Sequence, residues 1–313
     1  MWPDQIGRRV KLRQLEVLFA VTECGTMGKA AERLRLSQPV ISKAIADLEH
    51  TLGVRLLDRG PQGAEATLYG RALLKRSVAI FDELKQSVGD LQFLADPTVG
   101  ELRVGCGDSM SAGFLPAIIN RLSVRHPRLT FRVSQAPSGP VLYRELRERN
   151  VDVVVARLAM PLAEADLSHE VLFDEKELVV AGARSPWCRQ RSIKLADLIN
   201  ERWVLPPSDC AGGAQVAKTF SACGLEVPQA AVFSHSTQLF DVLASGGRFL
   251  AMLPASVMWF GPKRSTIKVL PVKLPAVPWP IGTITLKDRT ISPVAQLFID
   301  CAREIAKQLS KSG

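Results

Sequence analysis

The 313-residue sequence has no apolar run long enough to cross a bilayer. Its longest uncharged stretches, Phe249–Pro262 and Val227–Phe240, are 14 residues each, against the roughly 20 that a spanning helix needs. The opening residues, MWPDQIGRRVKLRQLEVLF, hold no apolar segment closed by small residues, so no export signal is read and a cytoplasmic location is expected. The histidines (His50, His126, His169, His235) and cysteines (Cys24, Cys106, Cys188, Cys210, Cys223, Cys301) are scattered, with no CxxC and no metal-ligand spacing. GxSxG is also missing. No catalytic group, metal or cofactor is therefore expected, and reduced thiols fit an intracellular chain. Gly105-Cys106-Gly107 opens like a dinucleotide fingerprint, but Met110 stands where that motif needs glycine.

What is present is globular: 47% apolar and 23% charged residues exclude a disordered or fibrous chain. The length suggests two domains. The net charge is +9, which favours an anionic partner. Residues 1–81 hold 13 Lys/Arg against 8 Asp/Glu, so just over half of the excess lies in about a quarter of the chain. That concentration has the character of a nucleic-acid footprint, although a solvated basic surface gives the same count.

Local pattern separates the two readings. Leu12, Leu15, Leu18 and Phe19 recur at helical spacing and end at Cys24-Gly25-Thr26. Thr26 caps a second helix over Met27–Leu34, and Arg35-Leu36 forms a short turn. Ser37 caps a third helix with Pro39 in its first turn, a buried stripe of Val40, Ile41, Ala44, Ile45 and Leu48, and Gly53 as its stop. This is helix-turn-helix geometry, whose second helix enters the DNA major groove. Gln38, Ser42 and Lys43 lie opposite the stripe. Gln can bond adenine, Lys can reach guanine and Ser can bond base or phosphate; on an isolated amphipathic helix they would be ordinary solvated residues. Val54–Arg59, Gly60-Pro61-Gln62-Gly63 and Ala64–Thr67 then read as a hairpin, or wing. Arg59 there is a candidate for the minor groove or a phosphate, or else a partner of Asp58 or Glu65.

The run AAERLRLSQPVISKAIADLEHTLGVRLLDR resembles the winged helix-turn-helix of the LysR-type transcriptional regulators. That resemblance places Ser37, Gln38, Pro39, Ser42 and Lys43 on the DNA-facing positions. Family wings usually carry further Arg at the tip, where this chain has Gly60-Pro61-Gln62-Gly63.

Leu68 to Leu94 contains no proline, and Leu73, Ser77, Ile80, Leu84, Ser87, Leu91 and Leu94 alternate at +4 and +3 spacing. A helix of about 27 residues is about 40 Å long, too long for a 65-residue domain to cover, so pairing with a second copy is expected. The resemblance makes it the dimerising linker helix and favours a tetramer. Asp96-Pro97-Thr98 ends it. The expected domains are residues 1–67 for DNA, 68–97 for the linker and 98–313 for an effector.

Residues 98–313 alternate strands and helices, among them strands at Glu101–Gly105 and Val151–Ala156 and a helix over Met110–Arg125, so the expected class is α/β. Glu101-Leu102-Arg103-Val104-Gly105, Leu115-Pro116, His126-Pro127, Val151-Asp152-Val153 and Leu253-Pro254 resemble the LysR effector domain, similar in fold to periplasmic solute-binding proteins. The resemblance implies one subdomain from residues 98–172 and 274–313, a second from 173–273, and RNA polymerase as a further partner. Ligands in such sheets sit beyond strand carboxyl ends, at helix N-termini. Ser109, Ser111, Ser138, Arg157, Ser208 and Thr237 fall at such ends, and the resemblance adds inducer contacts at Ser109, Ser138 and Thr237. Each hydroxyl is equally readable as a plain cap, and Arg157 as a partner of Asp152 or Glu164. The expected function is DNA-binding regulation switched by a small organic anion. The alternatives are redox sensing at Cys210, where peroxide-sensing relatives carry a reactive cysteine, and a solute-binding protein or enzyme on an α/β scaffold.

Overall fold

The structure is a computed structural model and describes residues 9–60, 63–96, 98–136, 139–158, 161, 163–261 and 265–312. Ser138, Pro97 and the wing-tip residues Pro61 and Gln62 lie outside the described residues. The chain divides into two compact units, Met1–Ser87 and Val88–Gly313.

The first unit opens with helices α1 (Leu12–Cys24), α2 (Met27–Leu34) and α3 (Gln38–Leu52). Leu15, Leu18, Val21, Ala30, Ala31, Ile41, Ile45 and Leu48 bury together with Leu56 and Leu57 in one core. The small alanines on α2 let the helices approach closely. Thr26 caps α2 by accepting the Lys29 N–H at 3.2 Å. Arg35, with φ 54°, turns the chain out of α2, and Gly53, with φ 71°, stops α3. Ser37 holds the cap position of α3, yet its side chain makes no cap hydrogen bond. Val40, expected in the buried stripe, is 44% exposed instead: it sits in the first turn of α3, beyond the edge of the core. Strands β1 (Leu57–Gly60) and β2 (Gly63–Ala66) pair antiparallel as the wing. Helix α4 (Leu68–Ala95) follows, 28 residues long.

In the second unit come β3 (Val99–Cys106), α5 (Asp108–Ala112), α6 (Phe114–Arg125), β4 (Arg128–Gln135), α7 (Gly139–Arg147), β5 (Val153–Arg157), β6 (Leu167–Asp174) and β7 (Glu177–Gly182). The chain continues through β8 (Trp203–Leu205), α8 (Ala211–Ala222), β9 (Val232–Phe233), α9 (Thr237–Ser245), β10 (Leu250–Pro254), α10 (Ala255–Phe260), β11 (Ile267–Val269), β12 (Pro280–Leu286) and α11 (Pro293–Ser312). Two mixed five-stranded sheets result, ordered β4-β3-β5-β12-β6 and β11-β7-β10-β8-β9. The chain passes from the first sheet to the second at Glu175-Lys176 and returns between β11 and β12. Val153, Val154 and Val155 of β5 are fully buried, as the apolar run required.

The helix expected over Met110–Arg125 is broken. Gly113 adopts φ −136°, ψ −87° between α5 and α6, and a Cβ there would lie 2.7 Å from the Ser256 backbone. The break thus lets α10 pack against this corner. Strand β6 escaped the sequence reading because it is a half-exposed edge strand whose apolar residues are separated by His169 and Glu170.

Candidate functional site

Two surfaces carry the candidate residues. On α3, Ser37, Gln38, Pro39 and Lys43 are exposed and Ser42 is partly exposed, all within its cap and first two turns. Arg59 extends from β1 with a 44% exposed side chain and meets Glu49 at 3.4 Å, not Asp58 or Glu65. Glu49 is tied more firmly to the backbone: its Oε1 accepts the N–H groups of Leu56 at 2.8 Å and Leu57 at 3.1 Å. The carboxylate thus fixes the start of the wing to the end of α3. A polar helix face and an arginine-bearing hairpin are held on one rigid core.

The second surface is a cavity of about 190 Å³ within the second unit, lined from both sheets. Ser109, Arg157 and Thr237 line it, as do Asp108, Glu177, Cys210, His235 and Trp279. Met110, Leu142, Phe240, Met252 and Leu253 make much of the wall apolar. Ser111 is not on the lining: its hydroxyl donates to the Asp108 carbonyl at 2.7 Å and accepts from Gln135 Nε2. Ser208 is exposed and also off the lining. The element carrying Ser109 is only five residues long, too short to contribute much helix dipole. Asp108 Oδ2 accepts the Thr237 N–H at 2.6 Å. The first amide of α9 is therefore occupied by a side chain from the opposite sheet's half of the cleft.

Arg157, at the end of β5, pairs with neither Asp152 nor Glu164. Asp152 joins Arg103 and Arg289, and Glu164 joins Arg147. The Arg157 guanidinium lies 5.1 Å from the Trp279 ring centroid, a cation–π geometry. It donates to the Ala211 carbonyl and, at 3.2 Å, to Gln215 Oε1. Burial draws its pKa down, while Glu177 and Cys210 act in the other direction. Burial pushes the Glu177 carboxyl up to about 8, with Glu175 adding to the rise and Arg157 opposing it. Glu177 Oε2 is closed to solvent and has no hydrogen-bond partner, and the same holds for Trp279 Nε1. Glu175 is also raised by burial, against hydrogen bonds from Ser256, Lys176 and Ala255.

Sequence reasoning missed Glu177 and Trp279. The available signals were a carboxylate heading an otherwise apolar strand and a tryptophan flanked by prolines in the return segment. Cys210 caps α8, its Sγ accepting the Gly213 N–H at 3.4 Å and donating to the Pro207 carbonyl at 3.1 Å. Cys223 lies at the other end of that 12-residue helix, about 18 Å away along the axis, far beyond disulfide reach. Cys106 is buried, which pushes its thiol up to about 12 with help from Asp108. Among the described residues, no three His, Cys, Asp or Glu side chains gather as a metal-ion site. No helix among them is long and apolar enough to cross a membrane.

Residues 12–71 match the bacterial regulatory helix-turn-helix protein, lysR family, and residues 95–307 match the LysR substrate binding domain. The chain is 28% identical over 298 residues to the uncharacterized HTH-type transcriptional regulator YdcI of Escherichia coli (strain K12), covering 95% of this chain and 96% of that one. It is 26% identical over 305 residues to the transcriptional dual regulator GltC of Bacillus subtilis (strain 168), covering 96% and 99%. Among solved structures, full-length CbnR, a LysR family transcriptional regulator complexed with its target DNA, matches with a TM-score of 0.57 at 26% identity, covering 95% of this chain and all of that one. The chain belongs to the LysR family of transcriptional regulators, with an N-terminal helix-turn-helix and a C-terminal effector-binding domain.

Proposed function

We propose that this regulator is a cytoplasmic homo-oligomer that binds promoter DNA through Ser37, Gln38, Pro39, Ser42, Lys43 and Arg59 and is switched by a small organic anion in the cleft. CbnR is solved on its target DNA, and the exposed polar face of α3 offers this chain the same use. Residues 1–67 serve DNA, 68–97 pair copies and 98–313 sense the ligand. RNA polymerase is the further partner.

The observation that carries the anion reading is Arg157 held part-buried in an apolar cleft beside Ser109 and Thr237. A carboxylate desolvated there needs donors and one nearby positive charge. Ligand bound between the sheets favours one arrangement of the two halves over another, and only that differential affinity can shift the DNA-bound population.

A thermal-shift screen of the full chain against carboxylates, amino acids, sugars and nucleosides tests the reading. Stabilisation by a carboxylate that is lost in Arg157→Ala supports it. Stabilisation by neutral sugars that survives Ser109→Ala and Arg157→Ala overturns it. Genome-wide mapping of bound DNA identifies the regulated genes.

A further inference from the structure

The polar demand of the cleft is not met by an anion alone. Glu177 reaches the lining from the head of β7, and its Oε2 is shut off from solvent without a hydrogen-bond partner. A carboxyl oxygen left in that state costs stability unless something pairs it. Arg157 does not: one N–H of Nη1 goes to Ala211 and one of Nη2 to Gln215, and its face rests on Trp279, so these bonds account for two of its five donors. Asp108 does not either, being engaged with the Thr237 amide. The cavity lining therefore carries a carboxyl at Glu177 and a cation at Arg157, with the Trp279 ring and apolar side chains around them.

We infer that Glu177 reads an ammonium group, and that the ligand of this cleft is a small apolar amino acid whose carboxylate faces Arg157. The inference rests on the anion reading above and narrows it. An engineered apolar cavity of about 150 Å³ accommodates benzene, so about 190 Å³ suits one branched or aromatic side chain with its polar head. Met110, Leu142, Phe240 and Met252 provide its surroundings. A fixed cation and a carboxyl that ionises on meeting an ammonium group are together complementary to a zwitterion, and each then gains a charge-assisted hydrogen bond. The charged groups acting on Glu177 are Arg157 from β5 and Glu175 from the crossover, and Cys210 at the start of α8, Asp108 and His235 are the other titratable groups on the same lining. With its pKa up at about 8, Glu177 is protonated before binding. On meeting an ammonium group it gives that proton to solvent and becomes the carboxylate.

The test compares leucine, methionine and phenylalanine with the same molecules lacking the amine (4-methylpentanoate, 4-(methylthio)butanoate, 3-phenylpropanoate) and with the matching amines lacking the carboxylate. The full chain is titrated calorimetrically at about pH 6.5 in two buffers of different ionisation enthalpy. At least one amino acid is expected to bind at least about tenfold more tightly than its deaminated acid, with about one proton released per site. Glu177→Gln is expected to bring the two affinities near parity and abolish proton release. Glu177→Met gives the same comparison if the glutamine variant does not fold. Deaminated acids binding as tightly as the amino acids, a preference unchanged in Glu177→Gln, or amines binding as well as amino acids each overturn the inference. Deaminated acids that bind dependently on Arg157 leave the anion reading standing while removing this one. If no carboxylate of either kind binds, both fall.

Discussion

Glu49 and Arg59 face each other at 3.4 Å where the third helix meets the wing, and the pair is the weaker part of what Glu49 does. Exposed ion pairs are worth about 0–1 kcal/mol. The two backbone N–H groups of buried Leu56 and Leu57 that Glu49 accepts would otherwise go unsatisfied, at about 1–3 kcal/mol. Glu49→Ala is therefore expected to destabilise the first unit by about 1–3 kcal/mol and to weaken DNA binding through a loosened wing. Glu49→Gln, which keeps an acceptor, should recover most of the stability. Urea denaturation of both variants, followed by binding to one promoter fragment, measures this.

Because Arg59 is held only weakly, its charge remains available to DNA. Arg59→Ala should reduce the slope of log affinity against log salt by about one and weaken all sequences alike, if it meets a phosphate. Lys43→Ala, if Lys43 reads a base, should blur one position in each half-site at a cost of about 1–3 kcal/mol. Salt titrations on a matched and a scrambled site separate the two. Unchanged affinity in both folded variants would sink the assignment of α3 as the recognition helix.

Asp152 shows where the sequence could and could not be read. The apolar strand containing Val153–Val155 and its place in an α/β fold were legible, because a run of buried β-branched residues is a local signal. Asp152's partners were not, since Arg103 and Arg289 stand 49 and 137 positions away and only the folded sheet brings them together. The same applies to the cleft. Ser109, Arg157 and Thr237 could be placed near the cavity lining because strand ends and helix starts are local patterns. Glu177 and Trp279 stand out by the burial of single polar atoms, which one chain's periodicity does not assign. Ser208 failed as a lining residue because the turn after β8 faces solvent.

Asp152→Ala should be among the costliest single changes in the second unit. Its carboxylate accepts from Arg289, whose side chain is only 4% exposed, and from the Arg103 backbone and guanidinium. Removing one partner of a buried pair leaves an uncompensated charge, at about 3–5 kcal/mol. Asp152→Asn should recover little of this. The midpoint of urea unfolding, read with an unchanged m-value, provides the check.

Glu177 sets a pH dependence of known sign. Its folded pKa is raised to about 8 from 4.5, so the folded state holds the proton more tightly than the unfolded state. Whatever that group costs is absent below about pH 4.5 and grows as pH rises through about 8. Without ligand, Glu177→Gln should therefore be more stable than the parent by a margin that widens from pH 5 to pH 8. The margin should close in acid. A margin that shrinks with rising pH would mean that Glu177 is ionised and paired in the folded protein.

The last expectation concerns α4. Ile80, Leu84, Leu91 and Leu94, at +4, +7 and +3 spacing, are all exposed in the single chain, Leu94 by 74%. Seven-residue repeats of this kind form the seam of paired helices. Ser77, on the same seam, is instead fully buried, its hydroxyl bonded to the Leu73 carbonyl at 2.9 Å. The free apolar stretch on this seam thus begins at Ile80 and takes up a little over half of the helix. Four such side chains left in water lose about 1.5–3 kcal/mol each of possible burial energy. A charge in the middle of the stretch should therefore disrupt association while leaving both folded units intact. Leu91→Asp, or Leu84→Asp with Leu91→Asp, is expected to shift the protein toward monomer in analytical ultracentrifugation. DNA affinity should fall with it, because one half-site alone binds more weakly than two linked ones. A double variant that keeps the parent's sedimentation mass would place the pairing surface elsewhere on the chain.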